Sequence, residues 1–168
     1  MQNLAVSDLI QKFNLLPHPE GGYFKETYRS VEQIPIIGLP ERFKGDRPFS
    51  TAIYFLLEKE NFSAFHKIQA YECWHFYAGS ILNIYVILQN GDLEIIRLGS
   101  NIHHGETFQY IVPANCWFAS ALAENVDYSF VGCTVAPGFD FADFELANAE
   151  DLIKIYPQHQ SIIESLCR

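Results

Sequence analysis

Residues 65–79, reading F-H-K-I-Q-A-Y-E-C-W-H-F-Y-A-G, bring together two of the chain's six histidines, one carboxylate and several large aromatics. Read as one strand with alternating faces, His66 shares a side with Ile68, Ala70, Glu72, Trp74 and Phe76, while His75 and Tyr77 fall opposite. A histidine and a carboxylate on one face amid aromatics are the minimal set for proton transfer or for binding a metal. Apolar surroundings raise the pKa of Glu72 and lower that of His66, and close pairing opposes both shifts. The same two residues can equally be a structural pair, satisfied by a hydrogen bond of their own.

The other chemically capable side chains are scattered. Arg29 and Arg47 offer bidentate forks for a phosphate or carboxylate, although a solvated arginine is the commoner role. His103-His104 beside Gly105 reads as an exposed pair in a polar loop, and His18 and His159 have no partner in sequence. The four cysteines (Cys73, Cys116, Cys133 and Cys167) lack C-x-x-C spacing and stand among apolar residues, as buried reduced thiols do. With a net charge of −9 and only 11 Lys and Arg, scattered singly, the chain offers no patch for a phosphate backbone. A small-molecule ligand in a local pocket is the expectation, with no nucleic-acid partner.

The elements that must position these residues read as sheet. At 168 residues and 49% hydrophobic, the chain has material for one domain with a proper core, taken as 1–168 with its centre at about 20–146. No apolar run reaches about 18 residues, and no signal peptide is visible at 1–4, so no membrane partner and a cytoplasmic location are expected. Ser7-Asp8 is placed as the cap of a helix over 9–15, stopped by Pro17 and Pro19. His18-Pro19-Glu20-Gly21-Gly22 is a turn by composition. Strands are expected at 23–29, 49–57, from 65 onward, 81–89, 92–98, 108–112, 117–121 and 128–135, with 30–48 as a long irregular segment suited to a lid or a surface excursion. Asn90-Gly91 marks a hairpin, and turns are placed at 113–115 and 123–125. Asn148 caps a helix to about 155, and Pro157 separates it from a last helical stretch. Many short strands with helices only at the ends imply an all-β sandwich or barrel. The 14 Phe and 9 Tyr suit its strands and the lining of an enclosed cavity.

The spacing His66-x-Ile68-x3-Glu72-x6-Gly79 resembles the first motif of the cupin superfamily, His-x-His-x3-Glu-x6-Gly, with Ile68 in place of the second histidine. The second motif, Pro-x-Gly-x2-His, falls on Pro113, Asn115 and Phe118, so its glycine and its histidine are both replaced. More specifically, the segments 17–24, 26–30, 50–57, 66–79, 113–119 and 135–139 resemble the cupin subfamily filed as domain of unknown function 985, over 9–146. That resemblance implies an RmlC-like jelly roll (a double-stranded β-helix), a homodimer, and a ligand cavity inside the barrel.

The resemblance also implies a range of activities, from sugar isomerases and nucleotide-sugar epimerases to metal-dependent dioxygenases and plain binders. With two of three histidine positions lost, only His66 and Glu72 remain for a metal, so no cofactor is expected beyond weak divalent binding by those two. What remains is similar to metal-free epimerases with a histidine base and a tyrosine acid. His66 is the base candidate, Glu72 orients it or acts itself, and Tyr54, Tyr77 or Tyr28 supplies the acid, with Tyr54 carried as the first choice. Glu20 and Gly22 are placed at one mouth of the barrel, with Tyr28, Arg29 and Thr51 as further ligand contacts. Trp74, His75 and Trp117 complete that group, Trp117 also suiting a plain core role. The expected function is a small-molecule-binding cupin acting as a metal-independent epimerase or isomerase on a sugar or sugar-phosphate-like carbonyl compound. A non-catalytic binder is the alternative, and a metal-dependent enzyme with an incomplete ligand set the third.

Overall fold

A computed structural model describes residues 5–123 and 127–168. The turn expected at 123–125 falls largely outside them, as does the segment read for a signal peptide. The strands are β1 (Leu16–Pro17), β2 (Tyr23–Arg29), β3 (Gln33–Ile34), β4 (Arg47–Pro48), β5 (Thr51–Glu58), β6 (Phe62–Lys67) and β7 (Tyr71–Gly79), followed by β8 (Leu82–Ile87), β9 (Leu93–Leu98), β10 (Gln109–Val112), β11 (Trp117–Leu122), β12 (Tyr128–Ala136) and β13 (Glu145–Leu146). Helices α1 (Val6–Phe13), α2 (Ala149–Ile155) and α3 (Gln160–Leu166) stand at the two ends. The fold is all-β, as the turn spacing implies.

Two antiparallel sheets face each other. One has six strands in the order β1-β2-β5-β12-β7-β10, the other five in the order β13-β6-β11-β8-β9. Their inward side chains form one core, with Phe55, Trp74 and Val131 from the first sheet meeting Ile84, Val86 and Phe118 from the second. Each such burial contributes about 1.5–3 kcal/mol, so the inner faces carry most of the stability. The helices cover the outer faces. Leu9 and Phe13 of α1 pack on Leu56, Tyr128 and Phe130, and Leu152, Ile163 and Leu166 of α2 and α3 cover Phe65, Ile87 and Ala119.

Several local expectations are corrected. Ser7 and Asp8 lie inside α1, whose N-cap is Ala5 with no side-chain bond; Asp8 instead faces the positive end of the helix dipole from the first turn. Asn148 does cap α2, its side chain accepting from the Asp151 N–H at 3.1 Å. In the 88–92 hairpin only Gly91 takes a positive φ, 88°, because the turn closes from Gly91 N to Leu88 O and does not use a two-residue link.

The largest correction concerns 65–79, which is not one strand. The chain leaves β6 after Lys67, bends at 68–70 and re-enters as β7 in the opposite sheet. His66 and Glu72 therefore stand on facing walls. The irregular 30–48 segment is partly ordered by the β3–β4 pair and by a buried ion pair. Arg47 Nε donates to Asp143 Oδ2 at 2.6 Å, with a second guanidinium N–H on Oδ1, fastening this segment to the one after β12. Arg47 is thus occupied, not offered to a ligand.

Candidate functional site

Strict alternation is broken twice where the cavity is built. In β2, Glu26 stands opposite Ile53 and Arg29 opposite Thr51, with Thr27 bulged out between them. In β6, His66 stands opposite Phe118 and Ser63 opposite Ser120, again with one extra residue on the β6 side. A bulge adds one residue and restores the face, so residues three apart point the same way. Glu26 and Arg29 both line the cavity rim, and Ser63 lies fully buried with its hydroxyl bonded to Glu20 beside His66.

The inner end is a hydrogen-bonded group around Glu20. His66 Nδ1–H donates to Ala64 O at 2.7 Å, which leaves Nε2 facing Glu20 Oε2 at 3.0 Å. Ser63 Oγ donates to Glu20 Oε1 at 2.9 Å. The backbone fixes Glu20 as well, since Ala64 N donates to its carbonyl at 2.8 Å and its own N–H reaches His18 Nδ1 at 3.3 Å. His18 N–H closes the turn on Gly22 O at 2.9 Å. His66 rests against the ring of Phe118 at 4.0 Å and that of Phe144 at 5.3 Å.

A carbonyl oxygen only accepts, so Nδ1 carries a hydrogen and the 3.0 Å contact holds one further proton, between Nε2 and Oε2. Burial lowers His66 to about 3 and pushes Glu20 well above the usual carboxylate range, with the negative charge of Glu72 adding to the rise. The proton therefore rests on Glu20, and a neutral carboxylic acid donates to a neutral imidazole. His18 is also held neutral, lowered by burial to about 4.

Glu72 supplies the opposite wall. It is buried on β7, and loss of solvation raises it to about 7, partly offset by a hydrogen bond from the Cys133 thiol on β12. Burial and the neighbouring carboxylate keep that thiol protonated. At the rim, Arg29 grips Glu26 through bonds of 3.0 and 2.7 Å and donates to Phe139 O at 3.0 Å. Thr51 Oγ1 accepts from Phe139 N at 3.0 Å, which leaves its own hydrogen to donate. Phe24, Phe139, Phe141 and Phe144 complete the walls of a cleft whose empty space, counting the part open to solvent at its mouth, is about 620 Å³.

Of the residues singled out in sequence, the cavity gathers His66, Glu72, Glu20, Arg29 and Thr51. It excludes the tyrosines. Tyr54 lies on the outer face of β5 against Phe13, Phe130 and Tyr77, while Tyr28 and Tyr77 are exposed. The titratable groups that do line the cavity include carboxyl groups and histidines. Trp74 is sealed in the core against Phe55 and Phe118. Trp117 lies on the outer face beside α2 and α3, with the Lys67 ammonium 4.4 Å over its ring. His75 bonds Thr134 and Gln109 outside the barrel. The one bulge in β7 falls at Tyr77, beyond His75, and so does not turn it inward.

Gly22 serves the turn and does not line the cavity. His104 meets Asn101 in an exposed short helix, and His159 meets Gly91 O at 2.8 Å. Sequence reasoning missed His18, Ser63, Cys133 and Glu26. The available signal was the His-Pro-Glu-Gly-Gly turn, whose prolines and glycines hold His18 and Glu20 at fixed relative positions.

The donor set does not fit a cupin metal centre. Ile68 lines the cavity and Phe118 packs on His66 at the other two histidine positions. His66 turns Nε2 to Glu20, and among the described residues no group of three His, Cys, Asp or Glu is arranged to hold a metal ion.

Comparison with known proteins places this geometry. Protein SO0799 from Shewanella oneidensis superposes with a TM-score of 0.88 at 39% identity, covering 100% of this chain and 99% of its own. A hypothetical protein from Leishmania major superposes at 0.90 with 32% identity over 98% and 99% of the two chains. The uncharacterized protein YML079W of Saccharomyces cerevisiae is 31% identical over 159 residues, covering 89% of this chain and 79% of the yeast protein. The pattern of one family matches residues 7–147, nearly the whole described sheet structure, and the chain belongs to it: the Cupin superfamily (DUF985).

Proposed function

We propose that this cupin is an epimerase or isomerase that moves protons beside the carbonyl of a small sugar- or sugar-phosphate-like compound, with no step routed through a metal. The observation that carries this reading is the 3.0 Å contact between His66 Nε2 and Glu20 Oε2, with Nδ1 held on Ala64 O, in a cavity that also contains Glu72. A carboxyl group that titrates near 7 exists in both protonation states at neutral pH, as a group that takes and returns a proton requires. The phenylalanine walls suit the C–H faces of a sugar, and the Thr51 hydroxyl suits a carbonyl or hydroxyl oxygen.

Deuterium wash-in from D2O tests this. The probes are D-erythrose, D-threose, D-ribose 5-phosphate and D-arabinose 5-phosphate, followed by the loss of their C2–H signals. Wild type exchanges at least one pair, and His66→Asn slows that exchange about 100-fold or more. Equal exchange by the two proteins overturns the catalytic role.

One observation favours the second reading, a non-catalytic binder: His66, Glu20 and Ser63 already satisfy one another's hydrogen bonds. Binding of these sugars without exchange identifies that case. A homodimer belongs to the same proposal, supported by the exposed Tyr71, Tyr77, Phe108 and Ile111 on β7 and in or beside β10. A single-chain mass in light scattering overturns it.

A further inference from the structure

Acid–base side chains line one cavity from facing sheets, His66 from β6 and Glu72 from β7, with Glu20 brought to His66 by the turn between β1 and β2. Glu20, His66 and Ser63 form a unit tied to β6 through the Ala64 N–H to Glu20 O bond of 2.8 Å, the Ser63 to Glu20 bond of 2.9 Å and the His66 to Glu20 contact of 3.0 Å. Glu72 projects from β7, with Cys133 of β12 beside it. β6 belongs to the five-stranded sheet, and β7 and β12 to the six-stranded sheet. A ligand between these walls meets Glu72 on one side and the Glu20–His66 pair on the other.

An isomerase that shifts a proton between adjacent carbons needs one base, working on one face of a planar enediol. An epimerase that inverts a single carbon needs a base on one face and an acid on the other. His66 and Glu72 line one cavity from facing sheets, the placement that the second case needs. Among the described residues no tyrosine lines the cavity.

We infer that the reaction is inversion at a carbon next to a carbonyl, with Glu72 and the Glu20–His66 pair as the two opposed catalytic groups. This rests on the proton-transfer reading above and narrows its substrate class to compounds with a stereogenic C–H beside an aldehyde or ketone. In one direction ionised Glu72 takes the α-proton, the C–H electron pair moves into the C–C bond and the carbonyl oxygen gains the negative charge. The proton shared by Glu20 Oε2 and His66 Nε2 then passes to the opposite face of the same carbon, and the carbonyl re-forms. Glu72 ends protonated and the pair ends one proton short; exchange with solvent restores both. In the other direction the pair, in its deprotonated state, is the base and protonated Glu72 is the acid. Nothing is oxidised or reduced.

The hydrogen-bond pattern gives the two sides different roles. Glu20 is held by Ser63, His66 and the backbone, so the proton it shares with His66 has a fixed position. Among the described residues the side-chain hydrogen bond on Glu72 comes from the Cys133 thiol, a weak donor, so Glu72 is held less firmly than Glu20.

The experiment offers each epimer separately in D2O: D-erythrose and D-threose, then D-ribose 5-phosphate and D-arabinose 5-phosphate, with C2–H exchange and product configuration read by NMR. Wild type exchanges both members of a pair and interconverts them. Glu72→Gln loses exchange of one epimer by about 100-fold while the other still washes out, and Glu20→Gln shows the converse selectivity. Both variants lose interconversion. The half-reaction each retains shows that the variant is folded.

Loss of exchange from the same epimer in both variants overturns the two-group arrangement but leaves proton transfer standing. Deuterium arriving at C1, with erythrulose or ribulose 5-phosphate as product, does the same. Absence of any exchange by wild type with all four probes overturns the proton-transfer reading itself, and this inference with it.

Discussion

Nε2 of His66 lies 3.0 Å from Oε2 of Glu20, and both side chains are less than one-tenth exposed. With Nδ1–H committed to Ala64 O, the contact forms in one of two ways: a carboxylic acid donating to an imidazole, or an imidazolium donating to a carboxylate. Burial disfavours the charged form of each partner, which selects the neutral pair. Glu20→Gln separates the two, because an amide N–H can replace the acid O–H as donor to Nε2 but cannot balance an imidazolium. The neutral pair predicts that Glu20→Gln changes stability by less than about 1 kcal/mol, while Glu20→Ala, which leaves His66 Nε2 and the Ser63 hydroxyl unpartnered, loses about 2–4 kcal/mol. Urea denaturation of both variants at pH 7 checks this, and a large loss in Glu20→Gln would mean that the pair is ionic.

Glu72 makes the fold sensitive to pH in a direction opposite to the histidines. It titrates near 7 when folded, against 4.5 as its ordinary value. The folded state therefore holds its proton longer than the unfolded chain. Burial of Glu72 imposes no ionisation penalty below about 4.5, and the penalty grows as pH rises to about 7 and is constant above. His66 and His18, held to about 3 and about 4 against 6.5, protonate first in the unfolded chain. They remove stability as pH falls below 6.5. Glu72→Gln deletes the first effect, leaves both histidines buried, and removes the charge that helps to raise Glu20. The stability of Glu72→Gln relative to wild type should rise between pH 4.5 and pH 8.5 by on the order of 3 kcal/mol. Equal differences at the two pH values would mean that Glu72 is solvated in solution.

The sequence revealed the fold class more fully than the site, for reasons visible in single residues. Turn chemistry is local, so 88–92 and the Asn148 cap could be read directly, and the resemblance from Pro17 to Phe139 indicated the barrel. Facing partners are not local. Parity along an assumed single strand put His66 and Glu72 on one face, whereas the bend at 68–70 puts them in one cavity from opposite sheets. Ser63 lies before the strand start expected at 65, and it reaches the face of His66 only through the β6 bulge. The tyrosine acid failed because β5 alternates Thr51 and Ile53 inward with Tyr54 outward, toward α1. Cys133 and His18 carried no pattern of their own; they acquire meaning only from the pairing of β12 with β7 and from the turn around Glu20.

Two arginines that looked alike in sequence should behave differently. Arg47 is buried in a bidentate pair with Asp143, whereas Arg29 holds Glu26 at a rim where both side chains are about two-fifths exposed. Arg47→Ala leaves an unpaired buried carboxylate and loosens the segment that carries Phe141 and Phe144, so it should cost about 3–5 kcal/mol. Arg29→Ala exchanges a solvent-screened pair for water and should cost less than about 1 kcal/mol. Thermal or urea unfolding of the two variants in one buffer tests the contrast. Similar losses would show that the rim pair is more protected from solvent than its exposure implies.

The turn that presents Glu20 depends on a glycine that cannot be replaced. Gly22 has φ of 73°, and a Cβ there would meet Leu56 O at 2.7 Å and Leu57 Cδ2 at 2.8 Å. Leu56 cannot retreat, because its strand is paired with Tyr23 on one side and Phe130 on the other. Gly132 is a useful contrast. The three atoms nearest to its Cβ belong to Tyr77, led by the hydroxyl at 2.3 Å, and Tyr77 is half exposed, so its ring has solvent to move into. Gly22→Ala should lose about 1–3 kcal/mol from backbone strain alone, with a further loss from the clash and from displacement of Glu20 from His66. Gly132→Ala lies in extended backbone, where alanine is favoured over glycine by roughly 0.5–1 kcal/mol, and should be close to neutral. Unfolding midpoints of the two variants decide the matter: equal losses would mean that the outer face of β12 is as closely packed as the turn beneath Glu20.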